Sequence, residues 1–135
     1  MNRKNYAQKH GATCKNWTNM SWSFVNHAER FVLFPESFHP EETEQERILI
    51  LGDWWETDDL GRKKAGYSAA KEHLNLVLWR GYKLLTFRQD VKVIDEEAGK
   101  IKVVKIYDKP PVKKALLRAG KCWFTVPYPE MANPS

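Results

Sequence analysis

Cysteine is scarce in this chain, with Cys14 and Cys122 the only two in 135 residues. They form no CxxC pair and belong to no Cys/His cluster, which argues against a structural zinc site. A domain of this size can build its core without a disulfide, so a reducing, cytoplasmic location is expected. Long hydrophobic runs are missing too, and no segment approaches the length of a membrane span. The opening "MNRKNYAQKHGATC" carries charge without an apolar stretch and does not read as a signal peptide. Neither HExxH, GxSxG, a P-loop nor GxGxxG occurs, and His10, His27, His39 and His73 form no metal-binding doublet. A non-catalytic protein with no cofactor, no metal and no membrane partner is the expectation. No internal repeat or low-complexity tract is visible.

What is present is a hydrophobic share of 42% and six tryptophans, enough for a single packed domain. Tryptophan is seldom fully buried because its indole N–H needs a partner, so several of the six are expected at a surface or a pocket. The net charge is +5, and it is unevenly spread. Residues 36–59 hold nine acids against Arg47, whereas residues 83–121 hold eleven Lys/Arg against five acids. Clustered cations attract polyanions.

Along the chain, residues 1–19 read as a flexible basic arm, 20–126 as one domain and 127–135 as a loose, proline-broken tail. "SWSFVNHAERFVLF" alternates, turns and returns, which predicts a β-hairpin. Pro35 and the acids to Glu46 predict a long loop, and "RILILGD" a buried strand. Ser68 is the expected N-cap of the main helix and Gly81 its stop. "YKLLTF" predicts a strand, and "VKVID" with "KIKVVKIY" a hairpin turning around 95–99. "KPPVKKALLRAG" predicts a short helix, and "KCWFTV" a last strand. The expected fold class is α+β, a small mixed β-barrel with one main and one short helix.

Three features carry chemistry. Arg62, Lys63 and Lys64 precede the helix, whose N-terminus offers free N–H groups to a phosphate. If the hairpin turn centres on Glu97, Lys92 faces Lys102 across the ladder, with Lys100 close by. Like charges opposite each other destabilise a sheet unless a polyanion neutralises them, although lysines also blunt exposed edges. Trp22, Trp54, Trp55, Tyr67 and Trp123 fall at strand ends or in loops, where small barrels build pockets. Aromatic rings stack on bases, and a carboxylate such as Asp53 accepts hydrogen bonds from a base's amino edge. An acidic loop at Asp53, Glu56, Asp58 and Asp59 offers oxygen ligands to a divalent metal, but the adjacent basic triplet opposes that.

The blocks "SWSFVNHAERFVLF", "RILILGDWWE", "GRKKAGYSAAKEHLNLVLWRGYKLLTF" and "LLRAGKCWF" resemble the N-terminal domain that precedes an HNH nuclease module in modification-dependent restriction endonucleases. The resemblance runs from Trp22 to Phe124. It implies a DNA-reading domain akin to the PUA/SRA-like barrels that flip modified bases, working beside a nuclease module or partner protein. No HNH module stands in these 135 residues, so nuclease activity does not carry over. The expectation is DNA binding, with a base pocket of Trp22, Asp53, Trp54, Tyr67 and Trp123 and phosphate contacts from Arg62, Lys63, Lys64, Lys92, Lys100 and Lys102. A protein-interaction role in a phage or defence system, with the acidic loop as contact surface, is the alternative. A metal-dependent nuclease or hydrolase is the third.

Overall fold

Alternating apolar residues at 22–34 do form the expected hairpin: β1 (Phe24–Asn26) pairs antiparallel with β2 (Phe31–Phe38). A computed structural model describes residues 1–40, 46–95 and 100–129. β2 runs four residues past Phe34, taking in Pro35 and Glu36, which were expected in a loop. Pro35 is tolerated because β1 pairs β2 only as far as Leu33, so among the described residues no strand pairs with that edge beyond it. The loop residues 41–45 lie outside the described residues.

β3 (Ile48–Leu51) leads into a 3₁₀ turn (Asp53–Trp55) and then α2 (Ala65–Arg80). The helix starts three residues before Ser68, with Lys64 at the N-cap and no side-chain cap bond. Gly81 ends it in the left-handed conformation, φ 71°, as expected. The two expected strands "YKLLTF" and "VKVID" are one, β4 (Lys83–Asp95), because the polar residues between them are buried with partners. Gln89 donates to Ser37 Oγ at 2.9 Å and accepts from Arg3 Nε at 3.0 Å, and Asp90 accepts from Arg88 and Tyr107. β5 (Lys100–Ile106) returns along β4, and residues 96–99 of the expected turn lie outside the described residues.

The expected short helix at 109–120 is instead β6 (Val112–Ala119), held between β4 and β7 (Cys122–Pro127). Helix-forming residues such as Lys, Ala and Leu lose here to two ladders of backbone bonds. Gly120, φ 62°, supplies the turn from β6 to β7 rather than a helix stop.

The flexible arm expected at 1–19 is part of the fold. Asn2 caps α1 (Arg3–Lys9), and Tyr6 and Ala7 are completely buried. Tyr6 stacks on Phe87 at 4.4 Å and its hydroxyl donates to Lys109 O at 2.6 Å. Thr13 then bridges to Val25. Of the expected tail, Pro127 closes β7 and residues 130–135 lie outside the described residues.

The strands make one seven-stranded sheet in the order β1-β2-β4-β6-β7-β3, with β5 also on β4. It curls until β3 touches β2, but the two do not pair, so the sheet is mixed and open rather than a closed barrel. One core, around Val32, Phe34, Leu51, Leu74 and Trp123, lies under α2. A second, around Tyr6, Phe24, Leu33, Phe87 and Ile106, lies under α1. Among the described residues no helix is long and apolar enough to cross a membrane.

Candidate nucleic-acid interface

The gap where β3 approaches β2 without pairing opens a cleft of about 290 Å³. Two tryptophans wall it. Trp22 comes from the entrance to β1, and Trp55 from the 3₁₀ turn after β3. Their rings meet edge to face at 6.4 Å and 87°. Trp22 is seated against Gly66 of α2, where a Cβ would come within 2.4 Å of the indole. That close approach is what the glycine permits. Lys64, at the α2 N-cap, places Nζ 6.0 Å from the centre of the Trp22 ring. On the far side Arg3 reaches in from α1, bonding Gln89 and the Ser21 carbonyl at 3.1 Å. Burial lowers the Arg3 guanidinium's pKa, yet arginine keeps its charge at neutral pH. The cleft thus combines flat rings, two cations and a polar floor of Ser37 and Gln89.

Only part of the expected pocket is here. Of the expected base-pocket and phosphate-binding residues, Trp22 and Lys64 line the cleft. Trp54 packs on the outer side of Trp55 at 6.0 Å and is 62% exposed, so it stands outside the cleft wall. Tyr67 of α2 and Trp123 of β7, expected as walls, are core residues packed in one cluster, each 6% exposed. Arg118 covers the Trp123 ring at 5.1 Å. Asp53 is exposed, lies 3.7 Å from Cys122 Sγ, a thiol donor, and does not line the cleft. Sequence reading missed Arg3, Ser37 and Gln89 as cleft residues. The signal was present in Gln89, a polar residue on the strand face that alternates with Leu85 and Phe87.

The basic triplet divides. Arg62 is held by Asp58, Nε to Oδ2 at 2.8 Å, while the backbone N–H groups of Leu60 and Arg62 also bond that carboxylate. The Arg62 N–H, foremost, with these other bonds, holds the Asp58 carboxyl below the usual carboxylate range. Lys63 is exposed and its backbone bridges Thr57. The Lys92–Lys102 pairing is realised as expected, and Lys100 pairs with Asp95 in the same ladder. Neighbours on a strand point to opposite faces, so Lys92 and Lys102 stand on the face away from Ile101, which lines the cleft. The cation stripe and the cleft therefore share one hairpin but occupy its two faces.

Both cysteines are free. Among the described residues no group of three or more His, Cys, Asp or Glu could hold a metal ion. Comparison with protein-family models, curated proteins and solved structures finds no match.

Proposed function

We propose that this protein is a non-catalytic DNA-binding domain of the cytoplasm that takes a modified or flipped base into the Trp22–Trp55 cleft. One observation carries the reading. Two indole rings, a lysine and a half-buried arginine converge on a single opening that Ser37 and Gln89 also line. Base–aromatic stacking is worth about 1–3 kcal/mol per base, and Ser37 and Gln89 offer the edge contacts that distinguish one base from another. Lys63, Lys64, Lys92, Lys100 and Lys102 supply sequence-independent phosphate contacts, with Arg62 contributing less because Asp58 already neutralises it. A two-stranded ribbon fits the major groove, which suits a hairpin carrying an apolar side chain on one face and lysines on the other. The curled sheet is, in this reading, an opened relative of the PUA/SRA-like barrels, consistent with the resemblance to restriction-endonuclease reader domains. A nuclease module or partner protein would act on the site that it marks.

The test is a titration of duplexes carrying unmodified cytosine, 5-methylcytosine, 5-hydroxymethylcytosine or N6-methyladenine at several salt concentrations. Preference for one modification that persists as salt rises, and that Trp22→Ala abolishes with the fold intact, is the expected result. Equal, salt-steep binding to all four would leave a backbone binder without a reader pocket. Absence of binding at low salt would sink the DNA reading. It would favour a protein partner, for which Trp79 on α2, 79% exposed, is the best anchor.

A further inference from the structure

A second and larger cleft, about 430 Å³, opens beside β2, β4 and β6 under the turn that joins β5 to β6. None of the residues expected to bind DNA lines it. Its depth holds a buried ion pair. Glu36 of β2 and Lys114 of β6 have side chains 6% and 4% exposed, with Nζ 3.8 Å from Oε2. The Thr125 hydroxyl also donates to Glu36. Burying two charges costs several kcal/mol per ion unless their partners are well placed, so such a pair is a poor choice for stability alone. At the floor of a cleft of ligand size it presents a carboxylate acceptor and an ammonium donor side by side.

The mouth of the cleft has different chemistry. Tyr107, which lines the cleft, carries three cations around its ring: Arg88 at 5.5 Å and Lys109 at 5.6 Å, which line the cleft too, and Lys105 at 4.4 Å, which stands beside the ring outside the lining. Arg88 is neutralised by Asp90 at 2.9 Å, and Asp90 also accepts the Tyr107 hydroxyl at 2.8 Å. Lys105 and Lys109 are exposed, and neither forms an ion pair among the described contacts. Phe38, Pro40, Pro110 and Val112 add apolar lining. The cleft thus brings together cations, apolar side chains and an adjacent buried donor and acceptor.

We infer that this cleft binds a mononucleotide-class ligand, with its phosphate at Lys109, supported from beside the Tyr107 ring by Lys105, and its base edge at Glu36 and Lys114. A base edge carries a neighbouring donor and acceptor that match the ammonium and the carboxylate. A phosphate alone would use only the mouth. This inference is independent of the DNA reading, because it concerns another cleft and a free ligand.

The experiment is calorimetry and amide-shift mapping with four ribonucleoside monophosphates, their unphosphorylated nucleosides and inorganic phosphate, in the absence of DNA. Saturable one-to-one binding of at least one monophosphate is expected, with shifts at β2 and β6 around Glu36 and Lys114. Inorganic phosphate should bind at least tenfold more weakly. The Lys105→Ala/Lys109→Ala double variant, at exposed sites that leave the fold intact, should weaken the monophosphate at least tenfold and the nucleoside little. Inorganic phosphate binding as tightly as every nucleotide would overturn the inference, as would shifts confined to Trp22 and Trp55 or no binding at millimolar ligand. Trp22→Ala should leave mononucleotide binding unchanged, which separates this result from the DNA titration.

Discussion

Lys92 and Lys102 stand directly opposite each other across the β4–β5 ladder, and both are exposed. Opposed like charges are destabilising, whereas an opposed ion pair contributes roughly 0.2–1 kcal/mol. Lys92→Glu is therefore expected to raise the free protein's stability by up to about 1 kcal/mol in urea unfolding at low salt. The same change should weaken DNA binding and flatten its dependence on salt, since one phosphate contact is lost and one repulsion added. Higher stability with unaltered DNA binding would mean that the pair serves only to blunt an exposed hairpin.

That pairing was legible in the sequence because register follows from alternation and the position of a turn. The β1–β2 hairpin, the strand at Ile48–Leu51 and the Gly81 helix stop were legible for similar local reasons. What escaped was decided by distant partners. β6 reads as a helix until β4 and β7 flank it. Residues 1–19 read as an arm because Tyr6, Ala7, Ala12 and Cys14 are scattered among polar neighbours, although all four are buried. Tyr67 and Trp123 look like pocket residues by type, yet the curl of the sheet puts them inside the core. Glu36 and Lys114 lie 78 positions apart and meet only because β2 and β6 flank β4.

Gly66 should tolerate no side chain. In a helix interior Gly→Ala ordinarily contributes about 1 kcal/mol of stability. Here the new Cβ would meet the Trp22 indole at 2.4 Å, well inside van der Waals contact. Overpacking of this kind costs about 1–3 kcal/mol, which outweighs the propensity gain. Gly66→Ala is expected to lower stability by up to about 2 kcal/mol and to displace Trp22, with loss of any modified-base preference. A stabilised variant in thermal unfolding would show that the indole moves aside freely.

His73 gives the fold an acid sensitivity. Its Nδ1 lies 2.5 Å from the buried Ser23 hydroxyl, and burial pulls its pKa down from 6.5 to about 4. The folded pKa lies below the unfolded one, so between pH 6.5 and 4 the unfolded chain binds more protons. Stability is therefore complete above pH 6.5 and falls as pH drops through that window, by an amount on the order of 3 kcal/mol at its acid end. Urea unfolding of the wild type and of His73→Gln from pH 7 to pH 4.5 isolates the effect, because the carboxylates are common to both. The wild type should lose more stability than the variant over that range. Equal losses would assign the acid sensitivity to another group.

Glu36 and Lys114 predict opposite results for single and double substitution. Lys114→Met removes the ammonium 3.8 Å from a carboxylate that is itself buried. An uncompensated buried charge of this kind costs about 3–5 kcal/mol. Without the cation, burial favours a protonated Glu36, so the loss measured at pH 7 should shrink at pH 5. Glu36→Leu with Lys114→Met removes both charges and leaves the Thr125 hydroxyl without this acceptor, a cost of about 1–3 kcal/mol. The double variant should consequently be more stable than Lys114→Met alone, while binding no mononucleotide. Urea unfolding at pH 7 and pH 5 distinguishes the cases. A double variant less stable than the single one at both pH values would show that the ion pair holds β2 and β6 together. Recovery of stability without ligand binding would show that the charges are kept for the cleft.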